Sequence, residues 1–188
     1  MLVIELESGG VIEIELHPEC APNTVRNIRY LASKGFYDGL TVYRTVENKL
    51  IQIGCPKNRG THGCGYTIFG EFAANGFKQN TLSGKRGNVF AGRISDNYNS
   101  QNSQFFINQR DLPDVEGYYA GFGTVVKGME EVDRLSHFET TDGEHPVHPE
   151  LIKRVYLKDD NDPIVVPDKL PDEYSRQIPW PVYEETDL

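Results

Sequence analysis

The chain has 188 residues with 19 Lys and Arg against 28 Asp and Glu, and its 38% hydrophobic and 25% charged content excludes a disordered, collagen-like or coiled-coil protein. The formal net charge of −9 makes nucleic acid an unexpected partner, because binding to phosphates depends on Lys and Arg. No apolar run approaches the roughly 18 residues of a membrane-spanning helix, so we also expect no membrane partner.

The chain carries three cysteines, Cys20, Cys55 and Cys64, and its amino terminus lacks the pattern of a signal peptide. An odd number of cysteines predicts free thiols in a reducing compartment, and we expect a cytoplasmic protein. Cys55, His62 and Cys64 lie close together, but structural zinc needs four ligands in paired spacing. We therefore expect no metal site.

Two alternating apolar and polar runs open the chain, at 2–7 and 11–16, and Ser8-Gly9-Gly10 joins them. This pattern predicts a β-hairpin. A helix should begin at Pro22 and end at Lys34-Gly35, since proline favours the first helical turn. Its apolar face would be Val25, Ile28, Leu31 and Ala32.

Short strand-like runs dominate the remainder of the chain. They are 41–46, 50–53, 66–69, 88–91, 104–108, 123–126 and 151–157. A second helix is predicted over 129–135. Many short strands with two helices favour a mainly β protein with a closed barrel, which leaves no exposed sheet edge.

The last thirty residues differ in composition from the body of the chain. Residues 159–188 carry nine acidic residues against Lys169 and Arg176, so this segment holds −7 of the total charge, and it also holds five of the eleven prolines. We interpret 1–158 as one domain and 159–188 as an acidic, proline-rich C-terminal arm or tail. The segment is either a solubilising tail or an arm packed on the body or on a partner. Its apolar patch at 178–183 could occupy a groove in the same chain or in a neighbouring one.

Three sequence blocks carry the functional signal. They are 36–44 followed by Gln52 and Gly54, then 65–72, and then 103–108 followed by 120–125. In this order and spacing they resemble the cyclophilin-type peptidyl-prolyl cis-trans isomerases, particularly the compact bacterial kind, over residues 1–158. The resemblance implies a closed eight-stranded antiparallel β-barrel capped by two α-helices. It also implies a cofactor-free isomerase that accelerates rotation about X-Pro bonds in peptides and in unfolded or flexible protein segments.

The resemblance assigns the catalytic role to Arg44. Twisting an X-Pro amide localises the lone pair on the proline nitrogen, and a guanidinium can donate to that nitrogen without any covalent step. Gln52 would hold the substrate backbone or support Arg44. The alternatives are a surface strand arginine in an ion pair and a polar residue on an open strand face.

Further residues are assigned to substrate binding by the same resemblance. Phe106 would form the floor of the proline pocket, with Leu50 and Val115 as its walls. Phe105, next to Phe106 on the same strand, should point the opposite way. The other assigned residues are Gly92 and Arg93, whose positions pair with an extended peptide, Gln104 beside the neighbouring pocket, and Tyr119, which replaces a histidine.

Some positions depart from the family pattern. Lys49 stands where an aromatic residue usually faces the substrate proline, which predicts lowered catalytic efficiency because a lysine stem offers less dry surface. Asp114 replaces a tryptophan of some eukaryotic members and predicts weak binding of ciclosporin. The alternative function is a peptide-binding module that uses the same groove but has lost turnover.

Overall fold

An antiparallel sheet of eight strands organises the chain, and the computed structural model describes residues 1–141 and 143–171. Within these residues the strands are β1 (Leu2–Leu6), β2 (Val11–Leu16), β3 (Arg44–Val46), β4 (Leu50–Ile53), β5 (Asn88–Ala91), β6 (Phe105–Asn108), β7 (Gly121–Lys127) and β8 (Ile152–Leu157). The helices are α1 (Pro22–Ser33) and α2 (Met129–Ser136), with short 3-10 turns at Ala73–Asn75 and Pro113–Val115. The order across the sheet is β3-β4-β6-β5-β7-β2-β1-β8. The predicted mainly β architecture with two helices is confirmed.

The first hairpin follows from its alternating pattern. Leu2 and Ile4 of β1 pair with Ile14 and Ile12 of β2, and all four side chains are buried on one face. The turn needs a backbone with positive φ, which Gly9 supplies at +92°.

Helix α1 has the predicted apolar face but receives its cap from a distant residue. Its N-cap position, Ala21, makes no side-chain hydrogen bond. The carboxylate of Glu71 instead accepts from the Asn23 N–H at 3.0 Å, and from the N–H and hydroxyl of Thr24, both at 2.7 Å. Because Glu71 is 3% exposed, this carboxylate gives buried first-turn donors partners that they would otherwise lack.

The prediction of a closed barrel is wrong, because the sheet is open between its edge strands β3 and β8. One bridge, Thr41 with Leu151, connects the segments that precede these strands. The outer side of the three-residue strand β3 is covered instead by the described residues of the 139–147 segment, where the Glu144 carbonyl accepts from the Thr45 N–H at 2.8 Å. A hairpin-like loop thus takes the place that a β3–β8 ladder would occupy.

A second error concerns the run 66–69, which was expected to be a strand. Among the residues that the structure describes, its backbone makes only single bridges, from Ile68 to Gln101 on one side and to Lys169 on the other. Glycines flank the run, and Gly65 has φ +84°. A segment this short, with one paired residue on each side, does not extend into a ladder.

Residues 159–171 lie against α1 and the 66–70 segment. Arg29 of α1 donates two hydrogen bonds to the Asp160 carboxylate, at 2.9 and 2.7 Å. Asp168 exchanges backbone bonds with the Asn23 side chain and pairs with Arg26 at 2.9 Å. The apolar patch at 178–183, expected to contact a groove, lies outside the described residues.

The main core lies between the sheet and the two helices. Phe105 is fully buried there, with its ring centre 5.7 Å from those of Tyr37 and Phe122. Phe106 belongs to a separate smaller cluster, so the expected alternation of Phe105 and Phe106 is confirmed. Within residues 1–141 and 143–171, neither helix has the length and apolarity that crossing a bilayer requires.

Candidate active site

The smaller cluster forms the base of an open cavity of about 410 Å³ beside β3, β4 and β6. The residues around this cavity include most of those that the sequence singled out. They are Arg44, Lys49, Leu50, Gln52, Gly92, Arg93, Ser95, Phe106, Leu112, Asp114, Val115 and Tyr119.

Strand register explains why residues distant in sequence meet in this cavity. Arg44 on β3 lies directly opposite Gln52 on β4, Gln52 lies opposite Phe106 on β6, and Phe106 lies opposite Phe90 on β5. Directly opposite residues of antiparallel strands point to the same face. The sheet therefore presents a cation, an amide and two aromatic rings in one row.

The guanidinium of Arg44 is held by two side chains. Its Nη1 donates to Gln52 Oε1 at 3.0 Å, and its Nε donates to Glu144 Oε2 at 2.7 Å. Nη2 lies 2.5 Å from the same Glu144 oxygen. The Arg44 side chain is 37% exposed, so it is in an ion pair and also borders the cavity.

A chain of hydrogen bonds fixes the orientation of the Gln52 amide. The hydroxyl of Tyr43 donates to Gln104 Oε1 at 2.5 Å, and Gln52 Nε2 donates to the same oxygen at 3.1 Å. Burial, together with the nearby Cys55 thiol, raises the pKa of Tyr43 well above its ordinary value, so Tyr43 remains a donor. Gln52 Oε1 is therefore the atom turned toward Arg44.

Gln104 lies behind the cavity wall and is 3% exposed. Its Nε2 donates to the carbonyl oxygens of Gly60 and His62, at 3.2 and 2.8 Å. It reaches the cavity through Gln52. The sequence placed Gln104 beside a neighbouring pocket and gave no sign of this support role.

The cavity floor is apolar and aromatic. The ring of Phe106 is stacked on Phe90, with centres 5.7 Å apart, and meets the edge of Tyr119 at 5.4 Å. Leu50 and Val115 are buried in the same cluster, as the predicted pocket walls require. Such a floor suits a small apolar ring.

Arg93 stacks on the Tyr119 ring. Its guanidinium carbon lies 4.4 Å from the ring centre of Tyr119 and 4.9 Å from that of Tyr98. Its nitrogens donate to the carbonyl oxygens of Tyr118 at 2.9 Å and Ser95 at 2.6 Å. The side chain of Arg93 is thus committed to the protein, while the Gly92 N–H is bonded to the Gln104 carbonyl at 2.7 Å.

Lys49 lies at the rim of the cavity and is exposed. Its backbone closes a tight turn, with its N–H donating to the Val46 carbonyl at 3.0 Å and Asn48 at φ +52°. The cavity stays open with Lys49 at this position.

Gly54 follows the last residue of β4 and has a φ of +94°. A Cβ at this position would lie 2.3 Å from the Ser103 carbonyl oxygen, so only glycine lets β4 and β6 approach as they do.

Sequence reasoning missed several residues of the site. Glu144, Tyr43, Ser95 and Leu112 contact or border it, and only Leu112, apolar and next to the assigned walls, carried a local signal. Glu144 lies in a stretch that the sequence presents as a solvated polar loop. Its contact with Arg44 spans 100 positions, which no local pattern reports.

Comparison with known proteins identifies the family. The sequence model described as "Cyclophilin type peptidyl-prolyl cis-trans isomerase/CLD" matches residues 1–157. Peptidyl-prolyl cis-trans isomerase B of Bacillus subtilis is 40% identical over 132 residues, covering 70% of this chain and 87% of the relative. A peptidyl-prolyl cis-trans isomerase of Synechococcus elongatus is 36% identical over 141 residues, covering 71% and 90%.

A solved structure shows the same fold. The cyclophilin-type peptidyl-prolyl cis-trans isomerase of Cryptosporidium parvum, crystallised in the presence of the dipeptide Ala-Pro, superposes with a TM-score of 0.75 at 24% identity, covering 85% of this chain and 99% of that one. The alternative of a binding module without turnover is not favoured, since the matching relatives are named as isomerases. This chain belongs to the cyclophilin-type peptidyl-prolyl cis-trans isomerases.

Proposed function

We propose that the proline ring of an X-Pro segment binds on Phe106 and that Arg44 is the catalytic residue. The observation that carries this proposal is the row formed by Arg44, Gln52 and Phe106 across three strands. It places a permanent cation beside an apolar floor of suitable size. A substrate proline seated on the floor would have its imide nitrogen on the side of the guanidinium.

The proposed chemistry is selective stabilisation of the twisted amide. The X-Pro bond has a barrier of about 18–20 kcal/mol because the nitrogen shares its lone pair with the carbonyl. Rotation localises that pair on nitrogen, and an N–H of Arg44 then gains an acceptor that neither planar isomer offers. Shortening tens of seconds to milliseconds needs about 5–6 kcal/mol, which one charged donor and substrate positioning can supply.

The proposed substrates are proline-containing peptides and flexible or unfolded protein segments. The cavity supports this, because it is open to solvent and is lined by both apolar and polar side chains. The Cryptosporidium relative crystallised with Ala-Pro has the same fold. Gln52 is proposed both to hold the substrate backbone and to support Arg44. Lys49 is proposed to lower catalytic efficiency, because it leaves one side of the proline pocket accessible to water.

The proposed location is the cytoplasm, with neither nucleic acid nor membrane as partner. The unpaired state of Cys20, Cys55 and Cys64 supports a reducing compartment. Fractionation of cells that express the full chain tests this proposal. Recovery with membranes or in an oxidising compartment would contradict it.

Substitution of Arg44 tests the catalytic role. In an assay of X-Pro isomerisation in a tetrapeptide, we expect Arg44→Ala to lower kcat/KM by about 10²–10³-fold, as loss of a charge-stabilising donor typically does. Arg44→Lys should also lose most activity, because lysine lacks the planar fork. Arg154→Ala, which removes an exposed arginine on β8, is the matched control and should behave as the wild type. Equal rates for wild type and Arg44→Ala would refute the proposal.

NMR exchange spectroscopy on an added X-Pro peptide separates catalysis from binding. The wild type should accelerate exchange between the cis and trans signals of the peptide. Arg44→Ala should still shift the peptide signals, because the Phe106 floor remains, without accelerating exchange.

A further inference from the structure

The carboxylate of Glu144 restricts how the Arg44 guanidinium can point. One oxygen, Oε2, accepts from Nε at 2.7 Å and lies 2.5 Å from Nη2, while Gln52 accepts from Nη1 at 3.0 Å. These contacts use one N–H on each of the three nitrogens. A guanidinium has five N–H groups, so one remains on each terminal nitrogen. Since Nε and Nη2 share an acceptor, the plane of the group cannot rotate without breaking a bond.

Glu144 is itself fixed by the backbone around it. Its N–H donates to the Thr141 carbonyl at 2.9 Å, and the Thr141 N–H donates to the His145 carbonyl at 2.8 Å. Its own carbonyl accepts from the Thr45 N–H, and His145 Nδ1 lies 2.8 Å from the Tyr43 carbonyl oxygen. The hairpin at 139–147 is therefore tied to the residues on both sides of Arg44.

The backbone of Glu144 is in an unfavourable conformation. Its φ is +61°, in the left-handed region that residues other than glycine, asparagine and aspartate rarely adopt. A residue held in this region against its preference is a reason to ask what its side chain does. Here the side chain binds the guanidinium that borders the cavity.

We propose that Glu144 is a positioning residue of the isomerase, which orients Arg44 so that its two remaining N–H groups face the proline nitrogen. The inference rests on the proposed catalytic role of Arg44. A long arginine side chain samples many rotamers, and the paired contacts of Glu144 and Gln52 select one of them before substrate binds. Glu144 contributes to turnover through Arg44 and does not contact substrate.

Variants at Glu144 test this role through kcat. Glu144→Gly removes the carboxylate and suits the positive φ, so the hairpin should keep its path. We expect kcat to fall by about tenfold with KM nearly unchanged, because orientation is lost while the apolar floor is intact. Glu144→Gln, whose amide oxygen can still accept from Nε, should retain kcat within about threefold.

Two measurements separate positioning from a structural role of the hairpin. In the Arg44→Lys background, Glu144→Gly should have no further effect on kcat, since lysine has no fork to orient. The Arg44 Nε–H signal in a ¹H–¹⁵N spectrum should be sharp in the wild type and in Glu144→Gln, and broadened in Glu144→Gly. The matched control is Glu139→Ala in the same hairpin, where the exposed side chain does not contact Arg44. It should leave kcat and the Nε–H signal unchanged.

The outcomes distinguish this inference from the proposed function. If Arg44→Ala is inactive while Glu144→Gly keeps the wild-type kcat, the positioning role is refuted and the role of Arg44 stands. A raised kcat in Glu144→Gly also refutes positioning, because it would mean that the carboxylate competes with substrate. If Arg44→Ala retains full activity, the proposed function itself is wrong.

Discussion

The two ends of the Lys49 side chain have different surroundings. Its apolar stem lies at the edge of the cavity floor, and its ammonium group faces solvent. Lys49 borders the cavity next to Leu50, and the turn that carries it is held by a backbone bond to Val46. A stem of this kind can cover part of a bound ring but forms no rigid wall. A proline bound on this floor, as proposed, would therefore stay open to water on the side of Lys49.

Replacing Lys49 should improve substrate binding if the side chain is aromatic. We expect Lys49→Phe to bury roughly 40 Å² more apolar surface with the proline, worth about 1 kcal/mol or about fivefold in KM. The measurement is the concentration dependence of tetrapeptide isomerisation. Lys49→Met is the matched control, because it keeps the length of the stem and removes only the charge. Equal KM values for Lys49→Phe and Lys49→Met would show that the ring forms no wall.

At the level of single residues, the sequence supported those positions whose partners lie in recognisable blocks. Arg44, Gln52 and Phe106 could be assigned because the family resemblance covers all three. The structure then places them in one row, while their roles remain predictions. Glu144 and Tyr43 could not be assigned, because each contacts the site through another side chain that only the folded chain brings close.

Among the elements, α1 depends most clearly on a distant residue. Its apolar spacing and Pro22 predict where it begins, and it ends one residue before Lys34.

The predicted strand at 66–69 was wrong because its pairing also depends on distant residues. Strand propensity and flanking glycines are local features of the sequence. Pairing depends on distant residues, and here Gln101 and Lys169 each form a single bridge with Ile68.

Removing the cap of α1 should destabilise the whole domain. Glu71→Gln places an amide donor against an N–H donor of the first turn, so one buried N–H loses its acceptor. We expect the free energy of unfolding in urea to fall by about 2 kcal/mol, the combined effect of a lost cap and an unpaired donor. Glu7→Gln, an exposed carboxylate in the first hairpin turn, should change it by less than about 0.5 kcal/mol. A loss in Glu71→Gln as small as in Glu7→Gln would contradict the capping role.

For the molecule as a whole, local patterns predicted the eight strands of the sheet, apart from the false strand at 66–69, but not the relation between the two edges of the sheet. Whether β3 meets β8 depends on the path of the 139–147 segment, which no periodicity describes. The same limit applies to the acidic segment after residue 158. Its charge suggests repulsion, yet Asp160 and Asp168 lie against Arg29 and Arg26 of α1.

Acid should weaken the fold through Asp160. Burial alone would raise the pKa of Asp160. The hydrogen bonds and the positive charge of Arg29, together with the Asp162 N–H and the chain's terminal ammonium, outweigh burial and hold that pKa below its usual range. A carboxyl with a lowered pKa contributes stability above its unfolded pKa of about 4, and this contribution is lost as the pH falls through the lowered value.

Urea unfolding at two pH values measures this contribution. We expect Asp160→Asn to be less stable than the wild type by about 1–2 kcal/mol at pH 7, with the difference nearly gone at about pH 2. Asp96→Asn, an exposed carboxylate in a loop, is the control and should show no such pH-dependent difference. A difference for Asp160→Asn that is the same at both pH values would contradict the ion-pair interpretation.

The long-range cap on α1 also constrains the order of events during synthesis. Because the acceptor for the first-turn donors is residue 71, the nascent chain has to emerge from the ribosome beyond that position before the helix gains its cap. Until then the first turn lacks its side-chain acceptor and depends on Pro22 and on the apolar face of the helix. The helix that packs on one side of the sheet therefore gains its cap only after β3 and β4 have left the exit tunnel.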